Sequence, residues 1–333
     1  MAGAAAKIGA AMFGRQPTRL PLPVAFLLVP QFSMMSFASA VEPLRSANRM
    51  SGRALYSWHI LSPDGAPVSA SNGIAIMPSG DIGQAAEATM LVVCAGVDGH
   101  RYADAGVLGW LRRLDRQGLV IGGVSLGSYL LARAGLLAGY RSTVHWENLA
   151  AFAEEFPDLE VTSELFEIDR NRFTCSGGIA ALDLMLDMIA RQHGRALAKA
   201  VSEQFIHERI RDRHDRQRMA LPARLGVRHP KLLEVVRRME ESTEEPIARA
   251  RLAASVGLSS RQLERLFRRY LDRTPTRYYL ELRLARARLL LLQTELPVLE
   301  VALACGFVSA SHFSKCYRDV YGCTPRDQRQ ADA

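Results

Sequence analysis

The chain has 333 residues and a formal net charge of +8, from 42 Lys and Arg against 34 Asp and Glu. That length holds about two domains at ~150 residues each, and no stretch reaches the ~18 consecutive apolar residues of a membrane span. Five cysteines, Cys94, Cys175, Cys305, Cys316 and Cys323, are an odd number without metal-ligand spacing; they read as reduced, buried thiols, with no zinc site and no cofactor expected.

Residues 1–22 are rich in Ala and Gly, carry Lys7, Arg15 and Arg19, and lack the apolar segment of a secretory signal. They are expected to form a disordered tail on a cytoplasmic protein. From Pro23 the pattern becomes α/β. Residues 24–29 read as a buried strand, 35–50 as a helix, and 58–62 and 90–94 as further strands. A helix over 106–117 leads to a strand at 119–123 and a helix at 126–137. Short apolar runs alternating with helical periods predict a mostly parallel sheet covered on both faces, a flavodoxin-like sandwich.

At the turn after the 119–123 run stands Gly123-Val124-Ser125-Leu126-Gly127, a G-x-S-x-G sequence between strand and helix. Such an elbow exposes a serine hydroxyl, but a hydrolase also needs a histidine base and an orienting acid, in chain order Ser, Asp/Glu, His. His145 follows Ser125 by twenty residues, which leaves little room for an acid-bearing strand. No catalysis is expected; the alternative is a serine-dependent amidase or hydrolase using Ser125, fused to the domain that comes after it.

Residues 182–189 predict a strongly apolar helix and 196–210 an amphipathic one, before the charge run 209–218. The domain junction is expected there. The apolar faces of these two helices leave homodimerisation open.

The last hundred residues carry one helix-turn-helix pattern twice. Ala253, Gly257, Leu263, Phe267 and Thr274-Pro275 recur as Ala302, Gly306, Phe313, Tyr317 and Thr324-Pro325. Each copy supplies a short helix, a glycine able to take the positive φ of a sharp turn, and a second helix with apolar residues every three to four positions. Between them, residues 278–292 are free of Gly and Pro and rich in helix formers, which suits a linker helix. Residues 249–288 hold eleven arginines against Glu264, Asp272 and Glu281, a concentration that points to phosphate contacts, with Arg283 and Arg286 among them. Base contacts are expected near the start of each second helix, which enters the major groove. These are Ser260, Arg261, Gln262 and Arg265 in the first head, and Ala310, Ser311, His312, Ser314 and Lys315 in the second.

The duplication, together with the run from Gly306 to Arg318 and on through Tyr321-Gly322-Cys323-Thr324-Pro325-Arg326, resembles the AraC/XylS family of transcription regulators over roughly residues 229–330. Phe26-Leu27-Leu28-Val29-Pro30, the segment 40–48, the Ser125 elbow and Val144-His145-Trp146 resemble the class I glutamine amidotransferase-like fold of PfpI type. In enzymes of that superfamily the elbow holds a cysteine and a histidine comes about where His145 stands. Here the elbow is Ser125, and the position of their acid, near Ser36, offers no carboxylate. The segments 40–48, 144–147, 166–174 and Gly177-Gly178 look most like regulators of glycine betaine, carnitine and arginine catabolism.

With the tail read over 1–22 and the junction at the charge run, the expected organisation is a disordered tail over 1–22, an α/β sensor domain over 23–192, linker and helices over 193–228, and an all-α DNA-binding domain over 229–330; the resemblance implies the sensor and DNA-binding roles. It further implies a cytoplasmic transcription activator whose partners are double-stranded operator DNA, RNA polymerase and a small amine or amino-acid-like effector, and no membrane. The expected effector contacts are Phe32, Ser36, Glu42, Ser125, His145 and Trp146. Amides at a helix start attract a carboxylate, Trp146 or Phe32 can face a quaternary ammonium, and Glu42 can act as a counterion.

Overall fold

The structure is a computed structural model in which residues 19–331 are described; the expected tail over 1–22 therefore lies, up to residue 18, outside the described residues. The chain divides after Gln217 into two compact units.

In the first unit, β1 (Leu22–Leu28), β2 (Tyr56–Ser62), β5 (Gly80–Asp81), β6 (Met90–Ala95), β7 (Val120–Ser125), β10 (Phe166–Asp169) and β11 (Arg172–Cys175) form one sheet in the order β10-β11-β7-β6-β1-β2-β5. Every pairing is parallel except that of β10 with β11. Two short ribbons stand apart, β3 (Val68–Ser69) with β4 (Ala75–Ile76), and β8 (Arg141–Ser142) with β9 (Glu160–Val161). The central strands are apolar throughout because both faces are covered. Val24, Phe26, Leu28, Met90, Val92 and Cys94 enter one core with the helices Met34–Ser51 and Ala180–His193; Ala25, Leu27, Leu91, Val93 and Ala95 enter a second core with the helices Ala105–Arg116 and Gly127–Arg133.

The expected helix over 126–137 is shorter, Gly127–Arg133, and is succeeded by Gly135 at φ 74°. The expected helix over 196–210 also ends early. It spans Arg195–Gln204, and Ile206 then takes a left-handed φ of 54°. Residues 206–217 form a strap laid along their own unit. Buried Asp183 accepts the Arg211 backbone N–H at 2.7 Å and its Nε–H at 2.9 Å, pairs with its Nη2 at 2.7 Å, and lies 2.9 Å from His207 Nε2. The backbone N–H of Leu165 donates to the Arg213 carbonyl at 2.8 Å, and the Gln217 amide donates to the carbonyls of Glu164 and Val144 at 2.8 and 3.2 Å. The apolar residues of 182–189 lie in the unit's own core, so that face is not exposed for pairing with a second copy.

The second unit is all helical. His229 caps the helix Pro230–Glu241, which packs with Arg249–Ala254 and Ser260–Leu271 around Leu232, Val236, Leu252, Leu263 and Phe267. The linker helix Pro275–Gln293, about 28 Å long at ~1.5 Å per residue, joins this first head to the second, Val298–Ala304 and Ala310–Tyr321, and a last helix spans Pro325–Ala331. Tyr279 of the linker belongs to the first-head core, whereas Leu284, Ala287 and Leu290 are buried further along the same helix. Among the described residues, no helix is long and apolar enough to cross a membrane.

Two glycines give opposite expectations. A Cβ on Gly127 would stand 2.2 Å from the Val93 carbonyl oxygen, so Gly127→Ala should cost about 1–3 kcal/mol or more in urea unfolding. A Cβ on Gly109, inside a helix, meets nothing nearer than the Arg113 guanidinium at 3.9 Å, so Gly109→Ala should gain about 0.5–1 kcal/mol. The same sign for both would contradict the packing described.

Candidate functional site

In the first unit the site is built at the end of β7. Ser125 holds φ at 57°, a left-handed value that costs a serine about 1–2 kcal/mol. The crossing is possible because Gly123 lies against the backbone of Gly127 and Ser128: a Cβ there would be 2.6–2.7 Å from them. From the far side comes the Gly177-Gly178 turn after β11, so close that a Cβ on Gly177 would stand 2.7 Å from that of Ser125 and 3.0 Å from Ser36 Oγ. The buried Ser36 hydroxyl donates to Ser33 Oγ at 2.9 Å and accepts the Gly178 N–H at 2.7 Å. Ser36, Ser125 and Gly177 are thus brought together, and the serine at the acid's expected position ties the first helix to this turn.

The other expected contacts are placed differently. His145 and Trp146 form a tilted pair with ring centroids 5.5 Å apart. His145 Nδ1 is 3.7 Å from a Glu147 carboxylate oxygen. Burial lowers the His145 pKa below its ordinary value while Glu147 opposes the shift, so the imidazole is neutral at pH 7. Among the described residues, no hydrogen bond joins His145 to the Ser125 hydroxyl. Phe32 is fully buried, edge-on to Phe37 at 5.8 Å, and so offers no exposed aromatic face. Glu42 is half-exposed and paired with Arg45 at 2.7 Å. What sequence reasoning missed is the floor next to His145: Thr143 and Val144 are buried and hold the Gln217 amide, the last residue of the unit.

In the second unit each turn carries its glycine in the left-handed region, Gly257 at φ 64° and Gly306 at φ 72°. Arg261 and Arg265 project from the start of Ser260–Leu271, exposed and without a hydrogen-bond or ion-pair partner among the described residues. Ser260 is half-buried. Gln262 is partly occupied, because its side-chain oxygen accepts the Ser259 N–H at 2.8 Å in a capping box. In the second head Ser311, His312 and Lys315 are exposed, and Ala310 and Ser314 are half-buried. His312 Nε2 lies 3.3 Å from Cys316 Sγ. Cys316 and Cys323 are only half-buried, unlike Cys94, Cys175 and Cys305.

Arg283, expected to contact phosphate, is engaged within the protein. Its Nε and Nη2 donate to the carbonyls of Cys305 and Gly306 at 2.7 and 2.6 Å, and its guanidinium lies 4.1 Å from the Phe307 ring centroid. Arg286 is directed to the Thr243 hydroxyl. Other arginines of the basic stretch share carboxylates, Arg249 and Arg268 with Glu264, and Arg273 and Arg277 with Glu281.

Residues 23–191 match the DJ-1/PfpI family, and residues 252–331 match a helix-turn-helix domain. The HTH-type transcriptional regulator GbdR of Pseudomonas aeruginosa is 53% identical over 312 residues, 94% of this chain and 85% of that protein. The HTH-type transcriptional regulator CdhR of the same species is 51% identical over 304 residues, 91% of this chain and 90% of that one. Among solved structures, an AraC family transcriptional regulator from Pseudomonas putida matches with a TM-score of 0.51 at 31% identity, over 56% of this chain and 100% of the other.

The elbow's strain is measurable. Ser125→Gly should be more stable than Ser125→Ala by about 1 kcal/mol, because glycine adopts the observed φ without the Cβ penalty. Equal urea midpoints for the two variants would remove the strain from the account.

Proposed function

This chain belongs to the AraC family of HTH-type transcriptional regulators that carry a DJ-1/PfpI domain, and we propose that its N-terminal unit senses a small quaternary-ammonium or amino-acid-like metabolite rather than catalysing a reaction. The observation that carries this reading is the elbow itself. Ser125 keeps the left-handed φ of a nucleophile elbow, yet His145 makes no hydrogen bond to it among the described residues and Ser36 stands where a carboxylate would be needed. A serine without an organised base is a poor nucleophile, whereas its hydroxyl can still bind a ligand. The neutral, half-exposed His145–Trp146 pair supplies the aromatic surface that attracts a cation.

In this reading the protein works in the cytoplasm on double-stranded operator DNA, where Arg261, Gln262 and Arg265 of one head and Ser311, His312 and Lys315 of the other read base edges. Effector binding then promotes contact with RNA polymerase and activates catabolic genes. The segments 40–48, 144–147 and 166–174 support betaine, carnitine or arginine as the effector class.

The test is a thermal-shift screen of the full chain against glycine betaine, carnitine, choline, sarcosine and arginine. A compound that binds the native state at a hundredfold excess over its Kd adds about 2.7 kcal/mol and raises Tm; Trp146→Ala should weaken that response. No shift with any compound, together with time-dependent labelling of Ser125 by a fluorophosphonate, would replace the sensor reading with a hydrolase. On DNA, Arg261→Ala and Arg265→Ala should each cost about 1–3 kcal/mol at a selected operator and much less on random duplex. Equal losses on both duplexes would deny them base reading.

A further inference from the structure

One half-buried basic side chain of the second unit is engaged by backbone carbonyls rather than by a carboxylate. Arg283 lies at the changeover of the linker helix, four residues after Tyr279, which packs in the first-head core, and one before Leu284, which is fully buried. From there its guanidinium reaches the end of Val298–Ala304, where the last carbonyls of a helix have no partner within it. It binds two successive carbonyls there, Cys305 and Gly306, and stacks on the ring of the next residue, Phe307. Gly306 is fixed from its other side as well: a Cβ would stand 2.6–2.7 Å from Pro246 and the Glu244 carbonyl. The first head has a weaker counterpart, Lys231, whose exposed ammonium makes one 3.4 Å contact with the Gly257 carbonyl. A planar guanidinium with two bonds and a stacking face fixes an orientation; a single ammonium contact does not.

We propose that Arg283 is the positioning residue that locks the second reading head onto the linker helix and thereby sets the one spacing at which both heads can enter DNA. The two heads then behave as a rigid gauge, and a loosened clamp tolerates operators of the wrong length. Phe307 is the second half of the clamp, and its ring is required for the orientation of the guanidinium.

The experiment uses the full-length protein and a duplex selected from random sequence by that protein. Variants of this duplex carry one base pair inserted or deleted between the two contacted segments, and affinities are measured by fluorescence anisotropy. The intact chain should lose about tenfold or more on either change, since one base pair rotates and shifts the second segment along the helix. Arg283→Met, Arg283→Lys and Phe307→Leu should bind the native spacing about three- to tenfold more weakly, yet lose less than about threefold on insertion or deletion. Circular dichroism melts check that the variants are folded, and Arg283→Lys and Phe307→Leu keep the test open if Arg283→Met is not. Retention of the full spacing penalty by the folded variants would overturn the proposal. So would a loss of about one unit of salt slope in Arg283→Met, restored by Arg283→Lys, which is the signature of a phosphate contact. Affinities that no longer depend on the second segment at all would also overturn it, because the head would then be lost rather than loosened.

Discussion

Backbone approaching backbone at the end of β7 is the constraint on which the first unit depends. Gly123 lies against Gly127 and Ser128, Gly127 against the Val93 carbonyl, and Gly177 against Ser125. Each contact forbids a side chain, and together they force the strand to turn into its helix with Ser125 in the left-handed region. The order of the sheet matters at the same place, because β6 and β11 flank β7 and supply the neighbouring ends from which the site is built. A hydroxyl held this way is presented at one point whatever its neighbours contribute. Its surroundings therefore decide between chemistry and recognition, and here they offer Ser36, a glycine turn and a neutral imidazole held beside Glu147.

The parts legible in the sequence were those set by local pattern. Apolar runs revealed the central strands because both faces of the sheet are covered, and the repeated glycine revealed both turns because each requires a positive φ. The β10–β11 pair was not read as strands. Its charges break the apolar run, and they are tolerated in the interior only through distant partners: Glu167 with Arg141, and Arg172 with Asp115 and the Leu136 carbonyl. The helix expected through 210 failed for a similar reason, since Asp183, more than twenty residues earlier, draws His207 and Arg211 into another path. Arg283 is the same lesson in the second unit. Eleven arginines in forty residues look alike in sequence, and nothing local distinguishes the one that meets carbonyls from those that project outward.

The two units achieve rigidity by different means. The sheet is held by strand pairing and two apolar layers, so its irregular parts are loops and the strap. The helical unit has no such frame, and its single long helix serves both heads, with Tyr279 and Arg286 engaged on the first-head side and Arg283 on the other.

The strap over residues 206–217 has a consequence for reach. Held by Asp183 and by the carbonyls of Glu164 and Val144, it leaves three residues, 218–220, before the helix Leu221–Leu225 begins. Its twelve residues, if detached, would add about 40 Å of extended chain at ~3.4 Å each. A tether of that length lowers the effective concentration of one unit for anything that must be bound by both. Because Gln217 is fastened beside Val144, the segment that carries His145 and Trp146 also holds the point from which that length would be released.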